Sequence, residues 1–210
     1  MARGTDLDTW RVEIRPIEPD DKDALARGFD RLSERSRYRR FLSPRGPLTE
    51  SELQYLTEVD HHDHEALVAV DPETDEGVGV ARFVRSAEDP NVAELAVAVV
   101  DDWQGHGIGS LLAGELAKRA REEGIRCFTA LALAENDAML GILQELGQVR
   151  SGSPQLGTVE LAVDLPDEGI SRLRRLLRAV ARGDITVLLR RTGRLAGSRH
   201  AGPEDSGRQD

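Results

Sequence analysis

The sequence is short of two residue types that often define a fold, cysteine and the aromatic residues. Cys127 is its single cysteine, so an intrachain disulfide is excluded. Aromatic residues make up 4% of the 210 residues and hydrophobic residues 39%, so the core must be aliphatic, built from Leu, Val, Ile and Ala. This length suffices for one well-packed domain with an extension and is too short for two ordinary domains.

The chain also lacks an excess of positive charge and any long apolar run. Its formal net charge is -10, which argues against nucleic acid and membrane surfaces as partners, because both need a cationic protein surface. No apolar run reaches membrane-spanning length, and the first residues show no apolar signal segment. We therefore expect a cytoplasmic protein whose acidity serves solubility first and a cationic substrate second.

The hydrophobic patterns that are present alternate between strand and helix periods, which predicts one mixed α/β sheet with hairpins first and a crossover later. Strands are expected at 12–17, 65–70, 77–84, 92–100, 125–134 and 157–165, and helices at 18–33, 48–59, 107–123 and 136–146. Thr49 with Glu52 forms a capping box, Asn136 is a helix N-cap, and Gly124 suits a helix C-terminus.

The C-terminal part of the chain divides into three predicted segments. A domain at 10–165 is followed by 166–191, which holds a basic amphipathic helix at 170–183 and a short strand at 185–190. The polar tail at 192–210 is predicted to be disordered. The basic helix either packs on its own acidic domain, which we favour, or forms a homodimer or contacts an acidic partner or membrane surface.

The stretch DDWQGHGIGSLL, residues 101–112, places three glycines at alternate positions between a Val/Ala strand and a helix. The first N–H groups of a helix have no intrahelical partner, and the helix dipole favours negative charge at this end. Glycines let a ligand come close to the backbone. The stretch therefore predicts an anion site at the start of helix 107–123.

Three nucleotide-type patterns and a ligand-free turn compete for this loop. A dinucleotide fingerprint fails because Ser110 stands where its third glycine should be, and a Walker loop fails because the chain has no Gly-Lys pair. The pattern [RQ]-x-x-G-x-[GA] matches residues 104–109. That pattern is the phosphate loop of the GNAT acetyltransferases, and the strand before it and the helix after it agree with that family.

Residues 12 to about 165 resemble a GNAT domain. The stretches LSERSRYRRF, ALVAV and VAELAVAVVDDWQGHGIG are similar to the catalytic domain of bacterial protein lysine acetyltransferases. The resemblance implies the GNAT fold, a mixed, mostly antiparallel central sheet flanked by helices, here with a C-terminal helical extension. It also implies an N-acetyltransferase that moves an acetyl group directly from acetyl-CoA to a primary amine, such as a protein lysine, in a ternary complex.

The same resemblance implies where acetyl-CoA would bind. Its pantetheine arm would pair with the strand around Val97 and Val99, and Asn136 would reach the arm. Its pyrophosphate would lie on the loop formed by Gln104, Gly105, His106, Gly107, Ile108, Gly109 and Ser110. No metal is expected.

The loop and the second helix depart from the family pattern at three positions. His106 stands where a basic residue is frequent, so help with the phosphates would be weaker and pH-dependent. Leu143 stands where the family often has a tyrosine that protonates the leaving thiolate, and Gln148 replaces a phenylalanine. No general acid is assigned.

Glu94 is the predicted general base. A lysine amine has a pKa of about 10.4, so only about 0.1% of it is neutral near pH 7.4, and a carboxylate can take up the proton that must leave. Strand alternation places Glu94 on one face with Ala96 and Ala98, which leaves an open shelf. The resemblance assigns the base to the same glutamate. The alternatives are an exposed strand end or an ion pair with Arg82.

Other conspicuous residues are given structural readings. The segment 61–64 contains three residues that can bind a metal, His61, His62 and His64. Adjacent residues rarely point at one metal ion, so a polar loop is expected instead. Cys127 is expected to be an inert buried thiol. The arginines of 35–40 either shape the acceptor side or bind the 3′-phosphate of CoA. The rival functions are a non-catalytic acyl-CoA-binding module and a small-molecule amine acetyltransferase.

Overall fold

The computed structural model describes residues 10–166 and the backbone of 185–189, and these residues form a sheet flanked by helices. The strands are β1 (Trp10–Pro16), β2 (His64–Val70), β3 (Gly77–Arg85), β4 (Val92–Val99), β5 (Cys127–Leu133), β6 (Val149–Ser151), β7 (Thr158–Asp164) and β8 (Ile185–Leu189). The helices are α1 (Lys22–Asp30), α2 (Glu34–Phe41), α3 (Glu50–Thr57), α4 (Ile108–Glu122) and α5 (Asp137–Leu146). Short 3-10 turns occupy Pro19–Asp21 and Asp101–Trp103.

The strands form one mixed sheet in the order β6-β7-β5-β4-β3-β2-β1-β8. The neighbours β4 and β5 are parallel, as are β1 and β8, and the other neighbouring pairs are antiparallel. The predicted mixed, mostly antiparallel sheet is thereby confirmed.

The parallel pair at the centre of the sheet is short. Its pairs are Val92 with Cys127, Ala93 with Phe128, and Glu94 with Thr129, and no further pair follows along β4. The two strands therefore separate beyond Glu94. A sheet that opens at its centre exposes unpaired peptide groups, which makes this position a natural place for a ligand.

Each face of the sheet is covered by different helices. Helices α4 and α5 cover one face, where Phe83, Leu95 and Phe128 are buried with most of the apolar side chains of α4. The other face forms a smaller cluster around Val68, and Leu25 of α1 packs against that cluster. This division follows from the strand period of two, which sends alternate side chains to opposite faces.

The predicted helix at 18–33 is shorter than expected and is followed by a helix that the periodicity did not separate. The 3-10 turn at Pro19–Asp21 precedes α1. The Asp21 carboxylate accepts a hydrogen bond from the Glu18 N–H at 2.7 Å and so caps the start of this turn. The Ser33 side chain then accepts from the Ser36 N–H and starts α2. A new N-cap with Glu34 in the first turn was the available sequence signal for this helix.

The predicted helix ends are confirmed. Thr49 and Glu52 form the reciprocal capping box of α3, and the Asn136 side chain accepts from the Met139 N–H at 3.2 Å. Gly124 follows α4 with a φ of +85°, in the left-handed region that favours glycine. Strand β6 was not predicted, because three residues are too few to show alternation.

The predicted C-terminal strand is present as β8, which runs parallel to β1. The predicted helix at 170–183 and the tail at 192–210 lie outside the described residues. In the ranges that the structure covers, none of the helices has the length and apolar character needed to cross a bilayer.

Replacing Leu116 by alanine should lower the free energy of unfolding by about 2–5 kcal/mol, because the side chain is fully buried in the core of α4 and leaves a cavity. Leu131→Ala is the matched control, since Leu131 is 53% exposed, and it should change stability by less than about 1 kcal/mol. Denaturant unfolding measures both. Equal losses for the two variants would contradict the assignment of the core to α4.

Candidate active site

A cavity of about 390 Å³ lies where β4 and β5 separate, between the glycine loop, α2 and α5. It is lined by all of the predicted cofactor-binding residues except His106, namely Val97, Val99, Gln104, Gly105, Gly107, Ile108, Gly109, Ser110 and Asn136. The structure thus brings together residues from β4, the loop and the start of α5.

The peptide groups of β4 that face this cavity can be identified from the hydrogen-bond pattern. The Val100 N–H donates to the Val78 carbonyl at 2.9 Å, and the Val92 carbonyl accepts from the Ser86 N–H at 2.8 Å. Residues of even number therefore bond to β3, and those of odd number direct their N–H and C=O groups toward β5. Because β5 no longer pairs with β4 at Val97, the N–H and C=O groups of Val97 face the opening.

Two glycines of the loop are required by backbone conformation. Gly105 and Gly107 have φ values of +79° and +80°, which a residue with a Cβ adopts only with strain. Gly107 is the N-cap of α4, and the first helical bond runs from the Leu111 N–H to the Gly107 carbonyl at 3.0 Å. The amides of 108–110 thus point out of the helix end, as an anion site needs.

The third glycine serves packing between helices. A Cβ on Gly109 would lie 2.9 Å from Cδ1 of Ile142, which is closer than real Cβ contacts allow. A side chain at this position would displace the flexible end of Ile142, where α4 and α5 pack together. Gly109 also lines the cavity, as predicted for a glycine that lets a ligand approach.

The Gln104 side chain links the glycine loop to α2 and to the end of β4 by hydrogen bonds. Its Nε2 donates to the Ser36 hydroxyl at 3.1 Å and to the Val99 carbonyl at 2.9 Å. The side-chain amide therefore fixes the end of β4 against α2. This bond also engages the carbonyl of Val99, so the N–H and C=O of Val97 are the more accessible pair.

Asp101 fixes α2 beside the cavity. Its carboxylate accepts hydrogen bonds from the Ser33 N–H at 2.9 Å, the Ser33 hydroxyl at 2.7 Å and the Ser36 hydroxyl at 3.0 Å. Burial by itself would raise the pKa of Asp101, but these hydrogen bonds outweigh it and hold the pKa below its ordinary value. The start of α2 is thereby tied to the strand–loop junction.

Helix α2 adds two arginines of the 35–40 run, for which the sequence left open a role at the acceptor side or at the 3′-phosphate of CoA. Arg39 and Arg40 both line the cofactor cavity. Arg40, with Leu32 and Ala98, also lines a second cavity of about 350 Å³ between α1 and the sheet. Arg40 therefore stands at the boundary of the two cavities.

Glu94 is exposed at the last position where β4 pairs with β5, and it does not line either of the two cavities. It lies opposite Val84 in the register, and Arg82 lies opposite Ala96, so Glu94 and Arg82 share one face of the sheet. The alternative of a Glu94–Arg82 ion pair is not what the structure has. The Arg82 guanidinium donates to His64 Nε2 at 3.0 Å and to the Leu56 carbonyl at 3.1 Å.

The three histidines of 61–64 point to three different partners. Nδ1 of His61 is 2.7 Å from Glu65, Nδ1 of His62 contacts Glu123, and Nε2 of His64 accepts from Arg82. Within the described ranges, no group of three acidic, histidine or cysteine residues is placed to hold a metal ion. The segment is a polar loop that leads into β2, as the sequence predicted.

The remaining predicted positions lie away from the chemistry. Cys127 is half-buried, and burial together with Asp164 raises the pKa of its thiol, which disfavours the nucleophilic thiolate. Leu143 is fully buried in the core and Gln148 is exposed next to β6. Neither supplies an acid to the cavity.

The packing role of Gly109 can be separated from backbone strain by a double-mutant cycle with Ile142→Val, which deletes the clashing Cδ1. Gly109→Ala should cost less than about 1 kcal/mol of stability in the wild-type background, because only the flexible end of Ile142 must move, and less still in the Ile142→Val background. Gly107→Ala should cost about 1–2 kcal/mol in both backgrounds, because its penalty comes from the positive φ. Equal costs of Gly109→Ala in the two backgrounds would contradict the helix-packing role.

His64 should make the protein less stable in mild acid. Burial and the Arg82 charge lower the pKa of His64 from 6.5 to about 4. The unfolded chain therefore takes up the proton first, so stability is full above about pH 6.5 and is lost as the pH falls toward 4. Over this pH range, the free energy of unfolding of His64→Gln should fall by roughly 1–3 kcal/mol less than that of the wild type. Denaturant unfolding at several pH values measures the difference. Parallel stability profiles of variant and wild type would disprove it.

The sequence was compared with known proteins. The acetyltransferase (GNAT) domain family matches residues 11–149. Acetyltransferase Pat of Mycolicibacterium smegmatis is 36% identical over 179 residues, which are 80% of this chain and 54% of that protein. The chain thus spans about half the length of this relative. Acetyltransferase PA5475 of Pseudomonas aeruginosa is 32% identical over 155 residues, which are 72% of this chain and 83% of that protein.

Solved structures agree with the sequence matches. The GNAT domain of S. lividans PAT is 31% identical with a TM-score of 0.67, covering 72% of this chain and 89% of that one. The structure of yncA from Salmonella typhimurium with its cofactor acetyl-CoA is 20% identical with a TM-score of 0.62, covering 76% and 97%. The latter likeness shows the fold alone. As the glycine-loop pattern predicted, the chain belongs to the GNAT acetyltransferase family and carries the N-acetyltransferase domain of that family.

Proposed function

We propose that this chain transfers an acetyl group from acetyl-CoA to a primary amine in a ternary complex. The observation that carries the proposal is one continuous cavity that joins the unpaired peptide edge of β4 to the N-terminus of α4. A pantetheine arm is an amide chain that needs a strand-like partner, and a pyrophosphate needs convergent N–H donors. Both needs are met within the same cavity.

The glycine loop is suited to hold the pyrophosphate through the outward amides of 108–110 and the positive end of the α4 dipole. Arg39 and Arg40 supply side-chain charge on the opposite wall, in place of the basic residue that His106 replaces. Val97 offers an N–H and a C=O to the pantetheine amides. Asn136 lines the same cavity while its side-chain oxygen caps α5, which leaves its NH₂ group for a ligand.

We assign Glu94 as the general base. Its exposure at the last paired position of β4 gives an incoming ammonium access to the carboxylate, directly or through water, and the carboxylate takes the proton. The neutral nitrogen then attacks the thioester carbon. A C–N bond forms, and a β4 N–H stabilises the negative charge on the carbonyl oxygen. The C–S bond breaks, the nitrogen releases its remaining extra proton to solvent, and the thiolate that leaves takes up a proton from solvent.

The acceptor that we favour is a lysine side chain of a protein. The resemblance to lysine acetyltransferases implies it, and a net charge of -10 attracts a cationic acceptor. A small-molecule amine is the alternative acceptor, and a panel of amines run beside lysine-containing proteins separates the two. Localisation in the cytoplasm and a homodimeric arrangement remain expectations from the sequence.

Glu94→Gln should bind acetyl-CoA with an affinity close to that of the wild type while its kcat/KM falls roughly 10²- to 10⁴-fold, because only the proton acceptor is lost. Calorimetric titration gives the affinity, and CoA release with an amine acceptor gives the rate. Glu160→Gln on β7 is the control, since Glu160 is an exposed strand glutamate on a strand that does not adjoin β4.

Two results would overturn these assignments separately. Normal turnover by Glu94→Gln would remove Glu94 from the role of base. No binding of acetyl-CoA by folded wild-type protein would overturn the proposed function as a whole, the acyl-CoA-binding alternative included.

A further inference from the structure

The second cavity contains a pair of guanidinium groups, and the proposed reaction gives no role to one of them, Arg82. Arg82 is 5% exposed, and Arg40 is half-buried at the boundary with the cofactor cavity. Both line the cavity of about 350 Å³ beneath α1. Buried arginines in proteins are ordinarily paired with a carboxylate, because an unpaired charge in a low-dielectric site is costly.

The bonds of Arg82 leave its charge uncompensated within the described part of the chain. Its guanidinium donates to His64 Nε2 and to the Leu56 carbonyl, and neither is an acid. Burial and the nearby Arg40 lower the pKa of Arg82 to about 9. Burial and the same guanidinium lower the pKa of His64 to about 4, so the imidazole is neutral at pH 7 and, like any imidazole, brings no negative charge.

At the opposite end of the same cavity, the charge of an arginine is neutralised by a carboxylate. Arg15 makes a two-bond ion pair with Asp21, both bonds at 2.7 Å, and this pairing raises the pKa of Arg15. The pKa of Arg40 is instead lowered by burial, and Glu94 opposes that shift. Two cations therefore stand near one carboxylate, and that carboxylate is the one that the reaction needs free to accept a proton.

The position of the pair relative to Glu94 points to the acceptor. Arg82 and Glu94 project from neighbouring strands onto the same face, two positions apart in the register. Diagonal neighbours on a sheet are about 7–8 Å apart, which is the length of a short aliphatic spacer. A molecule with its amine at Glu94 would therefore place a group a few bonds away between the two guanidinium groups.

We propose that the acceptor amine is accompanied by a carboxylate, which binds between Arg40 and Arg82 while the amine lies at Glu94. This inference rests on the proposed function. The carboxylate replaces the missing counter-ion of the arginine pair, and arginine forks bind carboxylates through two parallel hydrogen bonds. The carboxylate comes either from a free amino-acid-like acceptor or from an acidic side chain beside a lysine in a protein.

Matched acceptors that differ only in this charge test the inference. Nα-acetyl-lysine and Nα-acetyl-lysinamide present the same ε-amine with and without a carboxylate. A lysine peptide with Glu next to the lysine, and its Gln counterpart, present the same choice in a protein-like acceptor. For each pair, kcat/KM is measured with acetyl-CoA, and the Kd is measured by calorimetry with and without CoA.

The wild type should prefer the carboxylate member of at least one pair by roughly 10- to 100-fold, as expected for charge-assisted hydrogen bonds. Preference confined to the small compounds identifies a free amino-acid-like acceptor, and preference confined to the peptides identifies a protein side chain. Arg82→Gln and Arg40→Gln should each reduce the preference to below about threefold. Arg40→Gln keeps the test decisive if the buried Arg82 variant fails to fold.

Arg31→Gln is the control, because it removes the same charge from an exposed ion pair with Glu76 outside both cavities. It should keep the full preference. Equal use and equal binding of both members of every pair by the wild type would overturn the inference, as would a preference that survives in Arg40→Gln. If acetyl-CoA does not bind, the proposed function fails, while the Kd values without CoA still decide whether the arginine pair recognises a carboxylate.

Discussion

The end of strand pairing between β4 and β5 is the feature on which the site depends. Three residue pairs hold the strands together as far as Glu94, and beyond it the peptide groups of Val97 face a cavity. Unpaired peptide groups are costly inside a protein, so such an edge is retained where a ligand completes it. Glu94 is the last residue of β4 that pairs with β5, so the cofactor edge and the proposed base lie on one strand.

Helix α2 lies at the boundary between the two cavities, which differ in the charged groups that line them. Asp101 and Gln104 tie the start of the helix to the end of β4, and this places Arg40 at the wall that both cavities share. On one side the glycine loop and arginines suit phosphates. On the other side the buried Arg82 lies near Glu94, so the anionic protein as a whole carries a local cationic site.

Much of the local structure is determined by short-range sequence signals. Alternation along 92–100 correctly predicted that Glu94 lies on the opposite face from Leu95. The capping box of α3 and the Asn136 cap were also predicted correctly. Both kinds of feature depend only on neighbouring residues. The loop pattern at 104–109 likewise identified the family. These features need no knowledge of what packs against them.

Contacts between residues far apart in sequence were decided only by the tertiary structure. The close contact at Gly109 comes from Ile142 on another helix, and the hydrogen bond that engages Gln104 runs to Ser36 on α2. The approach of Arg40 to Arg82 depends on α2 crossing the sheet, which no local pattern encodes. The sequence by itself therefore determined which residues face which side of each element, and the packing of elements decided which of them meet, because their burial and charge depend on distant neighbours.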